Sequence, residues 1–385
     1  MEQDSDQFTA VNAALTEQGD RIITGGAGTG KTTIIRQIAE ALDGKCEVMA
    51  PTGKAAARLK EATGFPAGTV HRALLWDGKR FYREGKLPVT IIDEASMVDS
   101  CLLAAILRYE PSKIILVGDD AQLAPVGKGQ PFHDLIRLRP DIVSTLRTCH
   151  RAKGAVHQAA NAIRQGETPA ARIESDGEAW CVKRTGGPKE TLERLGQWIR
   201  DGYYDENQDI ILGPQYGNAN SEAEGSPDGG IRAINATVKS WLNPSSEQYA
   251  PGDRVILNKN FSAEDLWNGD LGSITDMDNH GLPEVTLDRD QGMPRRLDRE
   301  QFRELAHAWC LSVHKAQGSQ FRKVFFCVFR RHFRMLNRSL IYTAVTRAQK
   351  AVVVCGETDV FYSGINTVCD RQTVMQALAE DESIW

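Results

Sequence analysis

The chain has 385 residues, 41% of them hydrophobic and 25% charged, with a formal net charge of −5. This is ordinary globular composition, long enough for two or three domains that each bury a core. The acidic balance argues against a surface that attracts polyanions everywhere, although a locally basic groove on an acidic body stays open. The N-terminal "MEQDSDQFTA" is polar and acidic, unlike a signal or transit peptide. No apolar run approaches the ~20 residues of a membrane helix, so a cytoplasmic protein without membrane contact is expected. Strands are expected at "RIIT" (21–24), "CEVMA" (46–50), "VTIID" (89–93), "KIILVG" (113–118) and "DIVST" (141–145). Helical patterns separate them: "KTTIIRQIAEAL", "GKAAARLKEA" and "DSCLLAAILRY". Such alternation implies a parallel sheet with helices on both faces, an α/β fold. Between residues 75 and 88 the polar "LWDGKRFYREGKLP" alternates after an Asp-Gly pair and reads as a projecting β-hairpin.

Farther along, "YGNANSEAEGSPDGG" (216–230) has almost nothing apolar and reads as a mobile surface loop. A second alternating series runs through "QDIILG" (208–213), "KVFFCVF" (323–329) and "KAVVVCG" (350–356). Between these, "APGDRVILNKN" to "GLPEVTLDRD" shows short strand patterns broken by Asn-Gly, Gly-Asp and Pro, a small all-β insert. The basic "FRRHFRMLNR" (329–338) is either a local anion-attracting patch or a solvated helix face. No two of the eight cysteines lie within four residues of each other, so zinc and redox spacings are missing and no structural metal is expected. The cysteines in apolar runs read as buried free thiols.

Chemistry concentrates in a few segments. "GGAGTGKT" (25–32) fits G-x-x-x-x-G-K-[ST] between an expected strand and an expected helix, the setting of a phosphate-binding loop. Gly25, Gly28, Thr29 and Gly30 would let backbone N–H groups cradle phosphates, with Thr32 and Thr33 opening the helix. Lys31 would reach the β- and γ-phosphates, and Thr32 would hold Mg²⁺. "TIIDEAS" (90–96) supplies the matching acidic strand end: Asp93 for Mg²⁺, Glu94 to orient and deprotonate the attacking water. Mg²⁺-assisted hydrolysis of a nucleotide follows from these residues alone, and ATP is the nucleotide expected once the resemblance below is taken into account. "KIILVGDDAQLAPV" (113–126) ends a neighbouring strand, which would set Gln122 near the γ-phosphate as a sensor.

With these motifs the chain resembles superfamily 1 helicases of the RecD/Dda-like branch (1B) over nearly its whole length. "GGAGTGKTT" and "IIDEAS" are similar to motifs I and II, and "APTGKAAARL" (50–59) and "TVHRAL" (69–74) resemble Ia and Ib. "VGDDAQLAPVGKGQPF" resembles motif III in the form this branch carries, and "TLRTCHRA" (145–152) resembles motif IV. "LSVHKAQGSQF" (311–321) and "LIYTAVTRAQK" (340–350) resemble V and VI. Motif IV departs from commoner forms in its "TCHRA", so Arg151 alone is carried over from it.

The resemblance implies two tandem RecA-like domains with ATP in the cleft and single-stranded DNA across both. The first would span 1–145, with 75–88 as a pin that splits the duplex. The second would span 146–248 and 301–385, interrupted by an SH3-like barrel at 249–300 whose turn is Asn268-Gly269-Asp270. Gln7 with Ala10 would read adenine, and Gln317 and Gly318 of motif V would join the nucleotide site. Arg151 and Arg347 would be arginine fingers on the γ-phosphate, a task suited to a fixed charge with a bidentate grip. Strand contacts would fall to Pro51, Thr52, Lys54, Thr69 and His71 on the first domain and to Ser312, His314 and Lys315 on the second. Phe81 or Tyr82 would stack on a base at the pin, unless it packs on its own domain; the same choice holds for Trp267 and Phe261. The implied activity is ATP-dependent 5′→3′ unwinding of DNA by a monomer acting at single-strand/duplex junctions, with replication or recombination proteins as partners. A strand translocase that remodels without unwinding, and an RNA-directed helicase, remain open readings.

Overall fold

A computed structural model describes residues 5–149, 154–217, 229–261, 264–290, 292–369, 371 and 373–380. The chain divides into two compact units, 1–152 with 369–385, and 153–368.

In the first unit, α1 (Ser5–Thr16) is followed by β1 (Arg21–Gly25), α2 (Lys31–Ala41), β2 (Cys46–Ala50), α3 (Gly53–Thr63), β3 (Ala67–Thr69) and α4 (Val70–Ala73). Then come β4 (Val89–Ile92), α5 (Ser100–Leu107), β5 (Lys113–Gly118), α6 (Pro131–Leu138) and β6 (Val143–Leu146). The six strands form one parallel sheet in the order β3-β2-β4-β5-β1-β6. Consecutive residues of each central strand enter opposite cores, as the two-residue period of a strand requires. Ile22, Ile92 and Leu116 join a cluster with Phe132 of α6, while Ile23, Ile91 and Ile115 join one with Ile34 and Ile38 of α2. Both faces being covered explains why these strands read as unbroken apolar runs. Helix α3 starts where the Thr52 hydroxyl accepts from Ala55 N–H at 3.3 Å and stops at Gly64, whose φ is 77°.

The second unit holds a six-stranded sheet of β7 (Arg172–Ser175), β8 (Glu178–Arg184), β9 (Ile210–Gly213), β15 (Cys310–Ser312), β16 (Phe321–Val328) and β17 (Ala348–Gly356). Its order is β15-β9-β16-β17-β8-β7, parallel except for the outer β7. A separate antiparallel sheet, β13-β12-β11-β10-β14, is built from β10 (Arg254–Leu257), β11 (Leu271–Met277), β12 (Pro283–Leu287), β13 (Pro294–Arg296) and β14 (Leu305–His307). It encloses its own core around Val255, Ile274, Val285 and Leu305. Asn268 and Gly269 turn between β10 and β11, with Gly269 at φ 95° and the buried Asp270 accepting from Trp267 N–H.

Four features differ from the sequence reading. Strands β7 and β8 were not anticipated, because "RIES" and "EAWCVKR" are short and mostly polar. The antiparallel sheet runs past residue 300, since β14 pairs with β10 and closes its edge. Residues after Val368 belong to the first unit, not to the second as the expected span 301–385 required. The Arg371 guanidinium donates to the carbonyls of Pro125 (2.9 Å) and Gly127 (2.8 Å), and Thr373 and Gln376 donate to Asp134. These hydrogen bonds leave no hydrophobic period to read. Finally, the 75–88 segment makes one antiparallel bridge, Trp76 to Phe81, around a tip held by Asp77, which accepts from the N–H groups of Lys79 and Arg80. The expected loop at 216–230 lies, for residues 218–228, outside the described residues.

Candidate nucleotide and nucleic-acid sites

The carboxyl ends of β1, β5 and β4 lie side by side, and each carries one predicted group. After β1 the loop rises through Gly28 (φ 80°) into Gly30 (φ 84°), the left-handed N-cap of α2. A Cβ on Gly30 would run into the Gln7 amide, so backbone sign and space both demand glycine there. The Lys31 ammonium donates to the carbonyls of Gly25 (2.8 Å) and Gly26 (2.9 Å), which spans the loop across its base. Thr29 is buried and its hydroxyl donates to the Gly26 carbonyl. Thr32 and the exposed Thr33 open α2. Gln7, from α1, donates to the Thr29 carbonyl at 3.1 Å, so this side chain braces the loop from behind.

At the end of β4, Asp93 and Glu94 are both buried. Asp93 Oδ1 accepts from Glu94 N–H at 2.9 Å, and Glu94 sits in the left-handed region at φ 50°. A non-glycine residue there is strained and persists where its surroundings over-determine it. Burial first, and then the neighbouring Glu94 charge, push the Asp93 carboxyl up to about 6. Arg58 and Lys31 work in the opposite sense. Glu94 Oε1 accepts from Arg58 Nη2 at 3.2 Å, a residue of α3 that no motif-by-motif reading picked out. The signal available for it was spacing: Arg58 is four residues beyond Lys54 and on the same helical face.

The end of β5 answers why its glycine is there. A Cβ on Gly118 would come within 2.8 Å of the Phe132 ring and 3.2 Å of Ser96 N, where β5 is pinched between α6 and the turn after Glu94. Gln122 follows, buried, with its N–H on the Asp119 carbonyl. Its Oε1 is buried and has no hydrogen-bond partner among the described residues. A buried acceptor left open is costly, and it suits a group completed by a ligand. The loop after Gln122 is the one that Arg371 grips at Pro125 and Gly127, a brace the sequence did not disclose.

In the second unit, motifs V and VI meet. Arg347 is buried, its guanidinium donating to Thr343 O (3.0 Å), Ser319 O (3.4 Å) and Thr346 Oγ1 (3.1 Å). Gln317 is buried with no hydrogen-bond partner for its Nε2 among the described residues, beside Gly318 at φ 73°. Arg151 lies outside the described residues.

The predicted strand contacts are placed unevenly. Thr52 and Thr69 are N-caps of α3 and α4, their hydroxyls accepting from Ala55 and Arg72 N–H. Pro51 and Lys54 flank the first cap, both half-buried. His71 is packed against Trp76 and Phe81, at ring distances of 6.0 and 5.6 Å. Burial holds its imidazole below the usual range, against the pull of Asp99, and burial does the same to His314. Both shifts favour the neutral imidazole, which offers hydrogen bonds or a ring face in place of charge. The Ser312 hydroxyl accepts from Lys315 N–H, and the Lys315 ammonium donates to Asn258 and lies 5.7 Å from the Tyr216 ring.

Of the two aromatics of the 75–88 segment, Phe81 packs on its own core and on Trp76, at 4.6 Å, whereas Tyr82 is 52% exposed. Phe261 likewise packs on the core of the antiparallel sheet, while Trp267 donates to Asp265. The described residues hold no cluster of three or more His, Cys, Asp or Glu side chains placed for a metal, and no helix long and apolar enough to cross a membrane.

A family model described as an AAA domain matches residues 2–183, and one described as a UvrD-like helicase C-terminal domain matches 307–355. The chain is 34% identical over 351 residues to the ATP-dependent RecD2 DNA helicase of Deinococcus radiodurans, covering 85% of this chain and 46% of that protein. It is 32% identical over 428 residues to the RecBCD enzyme subunit RecD of Mycolicibacterium smegmatis, covering 96% of this chain and 73% of that one. It therefore spans about half the length of the first relative and nearly three quarters of the second. In fold it is similar to a Pif1 helicase solved at forked double-stranded DNA (TM-score 0.58, 19% identity, 96% of this chain and 95% of that one). A Bacteroides Pif1 helicase in complex with ADP-AlF3 and single-stranded DNA is also similar (TM-score 0.54, 20% identity, the same coverages).

Proposed function

The chain belongs to the RecD family of superfamily 1 helicases, and from that premise we propose that it is an ATP-driven motor that moves 5′→3′ on single-stranded DNA and separates the duplex ahead of it. The observation that carries this reading is the meeting of Lys31, Gln122 and the Asp93–Glu94 pair at the ends of three adjacent parallel strands. Lys31 holds the β- and γ-phosphates, Gln122 senses the γ-phosphate with its open Oε1, and Glu94 takes the proton of the attacking water. Arg347 and Arg151 are assigned to the γ-phosphate charge, and Gln317 with Gly318 to the same site. Gln7 is assigned to adenine through its carbonyl oxygen, since its amide donates to the loop.

The donors beside the loop fit Mg²⁺. One hydroxyl (Thr32) and one buried carboxylate (Asp93) are hard oxygen ligands, too few to hold the ion without phosphate and water, which is how Mg²⁺ is usually bound. When bound, it would supply charge that stabilises the negative charge developing on the phosphate oxygens. The antiparallel sheet around β10–β14 is read as the SH3-like insert, the 75–88 segment as the pin, and single-strand/duplex junctions as the substrate of a monomeric enzyme.

Strand-displacement assays on DNA and RNA duplexes with 5′ or 3′ tails test the proposal. Unwinding of the 5′-tailed DNA alone is expected, and activity confined to RNA or to 3′ tails would remove it. ATP turnover is expected to rise about ten-fold or more on adding oligo-dT, because the strand completes the catalytic site. Strand affinity should fall steeply with salt, as phosphate contacts require. Turnover indifferent to nucleic acid would favour another kind of phosphate-loop ATPase.

The pin aromatics separate cleanly. Tyr82→Ala is expected to keep DNA-stimulated ATPase within about two-fold while suppressing unwinding of a 5′-tailed duplex, since translocation needs no obstacle but strand separation does. Phe81→Ala should instead lower the melting temperature, costing roughly 2 kcal/mol, less than a fully buried Phe. Undiminished unwinding by the Tyr82 variant places the wedge elsewhere.

A further inference from the structure

Arg58 forms the sole ion pair with Glu94 found among the described residues, at 3.2 Å. The contact uses one donor of five: Nη2 meets Glu94 Oε1, and no other hydrogen bond of this guanidinium is found among the described residues. Glu94 is 8% exposed at its side chain and Arg58 37%, so one partner is sealed in the site while the other reaches solvent. The pairing turns the carboxylate toward α3, whereas the phosphate loop, with the Lys31 ammonium across its base, follows β1, two strands away in the sheet. Helix α3 is also the element whose first turn, Thr52 and Lys54, is assigned to the nucleic-acid strand. Lys54 and Arg58 stand at i and i+4, one above the other on a single helical face.

On the reading of the chain as a strand-stimulated ATPase, we propose that Arg58 is the positioning residue that reports strand occupancy to the hydrolytic base. Without a strand, the guanidinium holds the Glu94 carboxylate on α3, away from the attacking water. A nucleic-acid phosphate seated on the Lys54–Arg58 face offers the guanidinium a bidentate partner, drawing it off Glu94. The carboxylate is then released to accept the water's proton. Glu94 and Arg58 belong to segments 36 residues apart in sequence, and β2 and β4, which lead into them, are hydrogen-bonded neighbours in the sheet. The path from strand to base is therefore a single helix resting on two neighbouring strands of the sheet.

The test is steady-state ATP turnover of the full chain with and without saturating oligo-dT, for wild type, Arg58→Ala, Arg58→Gln and Arg58→Lys. For Arg58→Ala and Arg58→Gln, strand-free turnover is expected to rise about five-fold, what one partly screened ion pair can hold back. The stimulation ratio should fall by the same factor with KM for ATP within about two-fold, because the phosphate loop is untouched. Arg58→Lys keeps a cation on Glu94 and is expected to restore low strand-free turnover. If the alanine variant melts early, the glutamine variant reads the same ratio with the side-chain stem in place. An unchanged stimulation ratio, or turnover lowered equally with and without strand, overturns the role of Arg58. If wild type itself shows no stimulation by oligo-dT, the reading of the chain as a strand-stimulated motor fails and the inference falls with it.

Discussion

Lys31→Ala is expected to lower ATP turnover at saturating oligo-dT roughly a thousand-fold, the scale of losing a preorganised cation on a transferring phosphoryl group. In the structure the ammonium bonds to two carbonyls of its own loop, at Gly25 and Gly26, and not to a carboxylate. Its removal therefore breaks no ion pair found among the described residues, and the loop keeps its shape through Thr29, Gln7 and the two left-handed glycines. Single-strand affinity, assigned to α3, α4 and the second unit, should stay within a few-fold of wild type by fluorescence anisotropy. A melting temperature close to wild type would complete the pattern. Retained turnover near wild type would sink the assignment of the nucleotide site.

Glu94→Gln should act differently. The amide has the same shape, can occupy the same left-handed backbone conformation, and can still accept from Arg58 through its oxygen. What it loses is the capacity to take a proton, a loss of about 10²–10⁴ in turnover for a general base. Asp93 gains from the change, because the neighbouring negative charge is one of the two causes holding its carboxyl up at about 6. Without that charge the Asp93 pKa moves down and its ionised form, the one assigned to Mg²⁺, is favoured. The variant is thus expected to bind ATP at least as well as wild type and to retain it unhydrolysed. Filter binding of labelled ATP, compared with the Lys31 variant, separates the two residues. Loss of nucleotide binding on the scale of the Lys31 variant would show that Glu94 is not the base.

Much of this site was legible as text because its chemistry is local. A phosphate loop is eight consecutive residues whose backbone makes the binding surface, and the Asp93–Glu94 pair follows directly on its strand. The parallel sheet was legible for a related reason: strands covered on both faces must be apolar throughout, so "IIT", "TII" and "IILV" announce themselves. Strands β7 and β8, at the margin of the second sheet, lacked that constraint and gave no such run.

What the amino-acid order determined by itself was therefore the set of groups proposed for catalysis and the elements that carry them. Tertiary structure decided which of them meet. Arg58 and Glu94 are joined because β2 lies beside β4, and strand order is not written in either segment. Arg371 reaches the carbonyls beyond Gln122 across more than two hundred residues through hydrogen bonds, which leave no periodic trace. The alternation at Phe81 and Tyr82 showed two opposite faces but not which one faced inward. That depends on what covers the face: the core of the first unit lies under Phe81, and Tyr82 is left to the solvent.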